Sequence, residues 1–189
     1  MVSNAPAHHE EHTPSPWVER FAPLVPAGAV LDLACGDGRH GRLFLDRGHA
    51  VTLIDRNLAG ISDLGPTAHA ELVAADLEAG PWPCEGRKFA GIVVVNYLHR
   101  PLFRHIVAAL EPAGVLIYET FAVGNEALGR PRNPDFLLQP GELLDVVRGT
   151  LRVVAYEHGR VDHPRPAIIQ RMVAVGPAGE TQLPAANPG

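Results

Sequence analysis

Three glycines, Gly36, Gly38 and Gly41, stand in G-x-G-x-x-G spacing within the stretch Leu31 to Gly41, behind the apolar lead-in Ala29 and Val30. A short buried strand is expected to run into a glycine turn and then a helix beginning near Arg39. Such a turn can tighten, admits a ligand close to the backbone and aims free helix amides at it. The spacing alone specifies only a nucleotide-like ligand. Asp32, a carboxylate inside that first strand, narrows it. A dinucleotide-binding strand is ordinarily a continuous apolar run, and burying an unpaired ionised group costs on the order of several kcal/mol. Asp32 is therefore expected to accept a dedicated hydrogen bond at the turn, where a ligand carrying an ammonium group would also benefit from it.

Further carboxylates sit at strand ends. Asp55 closes the stretch Val51 to Ile54, 19 positions after Gly36, the distance at which an acidic residue ending a second parallel strand meets the two hydroxyls of a ribose. Asp76 and Leu77 end a strand expected near Glu71 to Ala75. The most apolar segment, Phe89 to Val95, delivers Asn96-Tyr97-Leu98-His99-Arg100 from its carboxyl end. Ligands of open α/β sheets lie outside the carboxyl ends of the strands, so this pentad should face the cleft. Phe121 to Gln139 has little periodicity and carries Arg130, Arg132, Asn133, Asp135 and Phe136, in a loop long enough to suggest function.

Alternating elements must position these groups. Ser15-Pro16 is a helix start, with Trp17, Val18 and Phe21 in the helix; Trp17 is read either as part of a lid over the cleft or as packing on the sheet edge. Helices are expected over His40 to Arg47, Asn57 to Leu64 (stopped by Gly65-Pro66), Pro101 to Leu110 and Gly141 to Arg148. Glu111 to Gly114 should turn the chain into a strand over Val115 to Tyr118, with Gly114 available for a positive φ. Leu151 to Glu157 and Ile168 to Val175 should form a hairpin around Gly159 to Pro166.

The 189 residues, 46% of them hydrophobic, suit one domain over 15–175, flanked by disordered tails at 1–14 and 176–189. His8, His9 and His12 in the first tail lack a fixed geometry for a metal, so no metal is expected. A formal charge of −5 argues against a duplex nucleic-acid partner. With Cys35 and Cys84 alone, no disulfide framework is expected and a cytoplasmic setting is the simplest. No apolar run approaches the roughly 20 residues that span a bilayer. Oligomeric state is not legible.

The ordered set resembles the motifs of the class I S-adenosylmethionine-dependent methyltransferases, over roughly Ser15 to Val175. The Cys-Gly-x-Gly-Arg turn and Gly141-Glu142-Leu143 are similar to the small bacterial tellurite-resistance and thiol-methylating type. The resemblance implies a Rossmann-like α/β fold, a seven-stranded and mostly parallel sheet with one antiparallel strand and helices on both faces. It implies S-adenosyl-L-methionine as cofactor, S-adenosyl-L-homocysteine as product, and a small, anionic or thiol or chalcogen acceptor. Asp32, Ala34, Gly36, Gly38 and Arg39 would hold the methionine end, Asp55 the ribose, Asp76 and Leu77 the adenine, and Arg56 and Asn96 would complete the cofactor set. His99 is the candidate base, Tyr97 would bound the methyl group or orient the acceptor, and Arg100 would hold an anion. Each has a structural alternative: a cap, core packing and a surface cation. Arg130, Arg132, Asn133 and Phe136 would bind substrate from a closing lid.

Three other readings stay open. Asn96-Tyr97-Leu98-His99 compares with the Asn-Pro-Pro-Tyr motif of amino-methylating nucleic-acid enzymes, without its prolines. The glycine pattern with Asp55 formally fits a nicotinamide-dependent oxidoreductase. A non-catalytic cofactor-binding regulator or partner subunit would keep the fold without turnover.

Overall fold

The structure, a computed structural model, describes residues 13–65, 69–179 and 183–184. Residues 1–12, 66–68, 180–182 and 185–189 lie outside it, and with them most of both expected tails, the three early histidines and Pro66.

Seven strands form one sheet: β1 (Ala29–Leu33), β2 (Ala50–Asp55), β3 (Ala70–Ala74), β4 (Phe89–Val95), β5 (Leu110–Phe121), β6 (Arg152–Val161) and β7 (Ala167–Val175). Their order is β3-β2-β1-β4-β5-β7-β6. β1 to β5 are parallel, while β7 runs antiparallel to both β5 and β6. The chain thus winds outward from β1 in one direction and from β4 in the other, so a crevice opens between their carboxyl ends. Every residue of β4 is buried, as a central strand covered on both faces requires.

Helices α1 (Pro16–Phe21) and α2 (Arg39–Asp46) cover one face, where Val18, Phe21 and Phe44 pack on Val30, Leu53, Val93 and Ile117. The opposite face carries α3 (Phe103–Ala108) and α4 (Glu142–Val147), with Ile106, Leu143 and Val147 on Leu31, Ile92, Leu116 and Met172. Ser15 caps α1 as expected, accepting from Trp17 N. Trp17 packs in the core rather than forming a lid: it is 3% exposed, with the Arg171 guanidinium 4.6 Å from its ring centroid.

Several boundaries differ from expectation. Residues 59–64 form a 3-10 helix instead of an α-helix; Ile61 still faces the core, and Gly60 sits against the Asp37 backbone. α3 starts late because a 3-10 turn, Arg100–Leu102, precedes it. β5 begins at Leu110, and Gly114 does not adopt a positive φ. What Gly114 supplies is clearance, since a Cβ there would meet Phe89 O at 2.9 Å. β6 runs on to Val161 and shortens the hairpin loop. Gly176 and Ala178 are not tail: their amides donate to Gly114 O and Pro112 O at 2.9 Å each.

Candidate active site

The glycine turn is built as its spacing dictates, and each glycine has its own reason. Gly36 has φ +57°, and nothing lies within 4 Å of where a Cβ would point, so the turn offers bare backbone to the crevice. Gly38, at φ +72°, begins α2 and leaves no room for a Cβ beside Ile61. Gly41 lets α2 press on Leu53. Asp32, 1% exposed, accepts from Gly41 N at 2.7 Å, which is the dedicated hydrogen bond its burial demands. Desolvation nevertheless pushes its carboxyl up to about 7. His40, the residue before Gly41, is buried, and burial, with the Arg39 charge adding, lowers its pKa to about 3. His40 Nε2 therefore serves as an acceptor, facing Ser15 N at 3.2 Å and Arg39 Nε at 3.4 Å.

Asp55 ties the first two strand ends together: its carboxylate accepts from Gly36 N at 2.9 Å and Asn57 N at 3.0 Å. Asp76 is exposed and its Oδ1 accepts from Glu78 N and Ala79 N at 2.9 and 3.1 Å. Those two bonds hold its carboxyl below the usual range, with the charges of Arg56 and His99 adding to them. Leu77 turns into the core and is 8% exposed, which leaves little of its side chain for a ring in the cleft. Ala34 and Asn96, at the ends of neighbouring β1 and β4, both have φ +57°. Left-handed backbone at a non-glycine residue is strained, about 1 kcal/mol for alanine, and such strain concentrates at functional sites.

The pentad divides. Arg100 is not the free cation expected for an anionic acceptor. Its guanidinium grips Glu142 through Nε–Oε1 at 2.6 Å and Nη2–Oε2 at 3.0 Å, and also donates to the carbonyls of Asp135 and Leu137. It clamps the loop after β5 to α4. Arg100→Ala is expected to cost about 1–2 kcal/mol, discounted for partial exposure, and to lower Tm by about 3–6 °C without changing nucleoside affinity; thermal melts and titrations check this. The 121–139 loop is held at further points. Asn125, buried, donates to Pro131 O and accepts from Ile168 N, and Gln170 donates to Gln139 O at 2.6 Å.

Held this way, the loop walls a cavity of about 550 Å³ with Arg130, Pro131, Arg132, Asn133 and Phe136, against Asn96, Phe121 and Arg165. A smaller cavity of about 200 Å³ adjoins it, reaching Glu78, Tyr97, Leu98 and Thr120. Tyr97 lines that inner cavity, whereas His99 lines neither. Burial pushes the Tyr97 phenol up to about 12, with Glu78, Asp76 and Asp55 adding to it. The four substrate candidates, Arg130, Arg132, Asn133 and Phe136, thus converge, and Asn96 joins them to the crevice.

Residues 30–114 match the family described as a methyltransferase domain. Over that stretch, from β1 into β5, the chain is similar to a methyltransferase domain. Its fold is shared with TehB from Haemophilus influenzae, with TM-score 0.71 and 18% identity over 84% of this chain and 61% of that one. It is shared too with the N-methyltransferase NodS from Bradyrhizobium japonicum, with TM-score 0.67, 15% identity and coverage of 93% and 99%. A third is the 1,6-didemethyltoxoflavin-N1-methyltransferase of Burkholderia thailandensis, solved with 1,6-didemethyltoxoflavin and S-adenosylhomocysteine, with TM-score 0.63, 21% identity and coverage of 85% and 76%. This chain spans less than two thirds of the TehB chain. A comparison with curated protein sequences gave no match.

The match to a methyltransferase domain takes in the glycine turn and Asp55. Several residues that line the two cavities had no local signal: Arg165 in the β6–β7 loop, Glu78, and Thr120 and Phe121 at the end of β5. Glu119 beside them is largely buried, accepts from Ser15 Oγ at 3.1 Å and lies 3.6 Å from Arg171, which anchors α1 to the end of β5. Desolvation raises its carboxyl. No helix among the described residues is long and apolar enough to cross a membrane.

Proposed function

We propose that the protein transfers a methyl group from S-adenosylmethionine to a small anionic acceptor. The observation that carries this reading is the arginine-lined cavity beyond the ends of β4 and β5, joined through Asn96 to the crevice of the glycine turn. The residues present fit the cofactor. Open space stands over Gly36, a carboxylate pinned by two amides stands at the end of β2, and a second stands at the end of β3. Gly36, Gly38 and Arg39 would hold the methionine end, with Ala34 and Asp32 shaping the turn beneath it. Asp55 would grip the ribose and Asp76 the adenine amine, beside Arg56.

When bound, the cofactor supplies a methyl group on a sulfonium, which an acceptor lone pair takes in line as the carbon–sulfur electron pair returns to sulfur. The protein's task is then alignment and exclusion of water, and orientation supplies much of such a rate. Arg130 and Arg132 hold the acceptor's negative charge, and Asn133 and Phe136 complete the wall. Tyr97 lines the inner cavity and His99 lines neither cavity, so an accepting atom that must lose a proton meets Tyr97 first.

Titration with S-adenosylmethionine and S-adenosylhomocysteine, followed by a mass-spectrometric screen of small carboxylates, phosphates, thiols and chalcogen oxyanions, tests the reading. Arg130→Ala/Arg132→Ala is expected to lower turnover of the accepted anion at least tenfold while homocysteine-product affinity stays unchanged. Tight cofactor binding with no acceptor turned over would instead make the protein a cofactor-binding regulator.

A further inference from the structure

The two cavities share Asn96, Phe121, Pro131 and Phe136 and so form one elongated site, of about 550 Å³ at its outer end and about 200 Å³ at its inner end. Its chemistry is graded along its length. At the outer end Arg165, from the β6–β7 loop, joins Arg130 and Arg132, and its guanidinium lies 5.4 Å from the Phe121 ring centroid. Among the described residues no carboxylate pairs with any of the three. Three guanidinium groups around one space repel one another, and the ligand that relieves this best carries more than one negative charge. Phe121 and Phe136 line both cavities, the first buried and the second 42% exposed, and their rings make no polar demand. At the inner end Tyr97, Glu78 and the buried Thr120 line one space, and the Tyr97 hydroxyl, itself buried, has no hydrogen-bond partner.

Size and polarity both speak against an inorganic oxyanion. Such an ion occupies roughly the space of two or three waters, on the order of 60–90 Å³, and leaves the aromatic wall and the Tyr97 hydroxyl untouched. The site has instead the volume of one that takes an organic ligand. A buried hydroxyl wants a strong partner, and sulfur and its heavier congeners are weak ones.

Resting on the methyl-transfer reading above, we infer that the acceptor is an organic dianion. Its phosphate or paired carboxylates meet Arg130, Arg132 and Arg165, a flat apolar body lies along Phe121 and Phe136, and an N–H or O–H methyl-accepting atom sits beside the Tyr97 hydroxyl. Tyr97 orients that atom's lone pair. The proton the accepting atom loses on methylation passes to the Glu78 carboxylate at the same end and from there to water.

The test titrates the full chain, saturated with S-adenosylhomocysteine, with 4-aminophenyl phosphate, 5-aminoisophthalate, aniline and sodium selenite. At least one dianion is expected to bind, at least 30-fold more tightly than aniline or selenite, and the two dianions distinguish a phosphate from a dicarboxylate head. Arg165→Ala should weaken the bound dianion tenfold or more with S-adenosylhomocysteine affinity unchanged. Tyr97→Phe should keep dianion affinity within threefold while methylated product, read by mass spectrometry with S-adenosylmethionine, falls at least 20-fold. Binding of neither dianion, selenite binding as tightly as they do, an unchanged affinity in Arg165→Ala, or full turnover in Tyr97→Phe overturns the inference. A chain that binds no S-adenosylhomocysteine overturns the methyltransferase reading itself, which keeps the two failures apart.

Discussion

Asp55→Ala is expected to weaken binding of S-adenosylmethionine and S-adenosylhomocysteine at least a hundredfold, measured calorimetrically, while lowering stability by less than about 1 kcal/mol. A hydrogen bond to a charged group contributes about 1.5–3 kcal/mol, and a carboxylate that grips two vicinal hydroxyls makes two of them. A hundredfold change corresponds to about 2.7 kcal/mol, well within what that loss allows. The stability cost is small because the two amides Asp55 now satisfies, Gly36 N and Asn57 N, are exposed and can turn to water. Asp55→Asn separates the parts. It keeps an oxygen for one amide but not the negative charge, so its affinity should fall between those of the native chain and the alanine variant. Unchanged affinity in Asp55→Ala would remove the ribose from this strand end.

The second large effect is on the pH dependence of stability. Asp32 is pushed from its ordinary 3.8 up to about 7 by burial, so between those values the folded chain binds a proton that the unfolded chain does not. Stability from this group therefore falls as pH rises through that window. His40 works the other way. It is lowered from 6.5 to about 3 by burial, so between those values the unfolded chain binds the extra proton and stability rises with pH. From about pH 4 to 6.5 the two slopes oppose each other, each up to about 1.4 kcal/mol per pH unit. Asp32→Asn removes the first and leaves the second. The variant's Tm should climb by about 5 °C or more across that window relative to the native chain, and at pH 8 the variant should be the more stable of the two by about 2 kcal/mol. Its affinity for an ammonium-bearing ligand should fall at the same time. Melting curves that run parallel from pH 4 to 8 would show that Asp32 carries no desolvated charge in the fold.

That a carboxylate costing stability stands in the first strand was visible in the residues, because nothing but a specific need places an aspartate within an apolar run. Asp55 was visible for a similar reason. A strand followed by a glycine turn, a helix and a second strand has a nearly fixed length, so spacing along the chain becomes distance across the crevice. Ala34 was not: alanine has no preference for a left-handed φ, and only the packing of the turn over β1 and β4 holds it there. Over 59–64 the expected α-helix and the observed 3-10 helix present the same apolar residues, because Leu58, Ile61 and Leu64 satisfy both periods over so short a stretch.

The sequence by itself determined what is local: the alternation of strands and helices, the glycine turn, the carboxylates at strand ends and the apolar run of β4. Each follows from periodicity or backbone chemistry within one βα unit. Tertiary structure alone decided which arginines line the cavity beyond the ends of β4 and β5. Arg100 and Arg130 carry the same charge, but Glu142 on a distant helix claims Arg100. The β6–β7 hairpin brings Arg165 to a cavity whose other arginines lie on the loop after β5. A long flexible cation has no local preference for one partner over another, so its role depends on which segments the sheet order brings together.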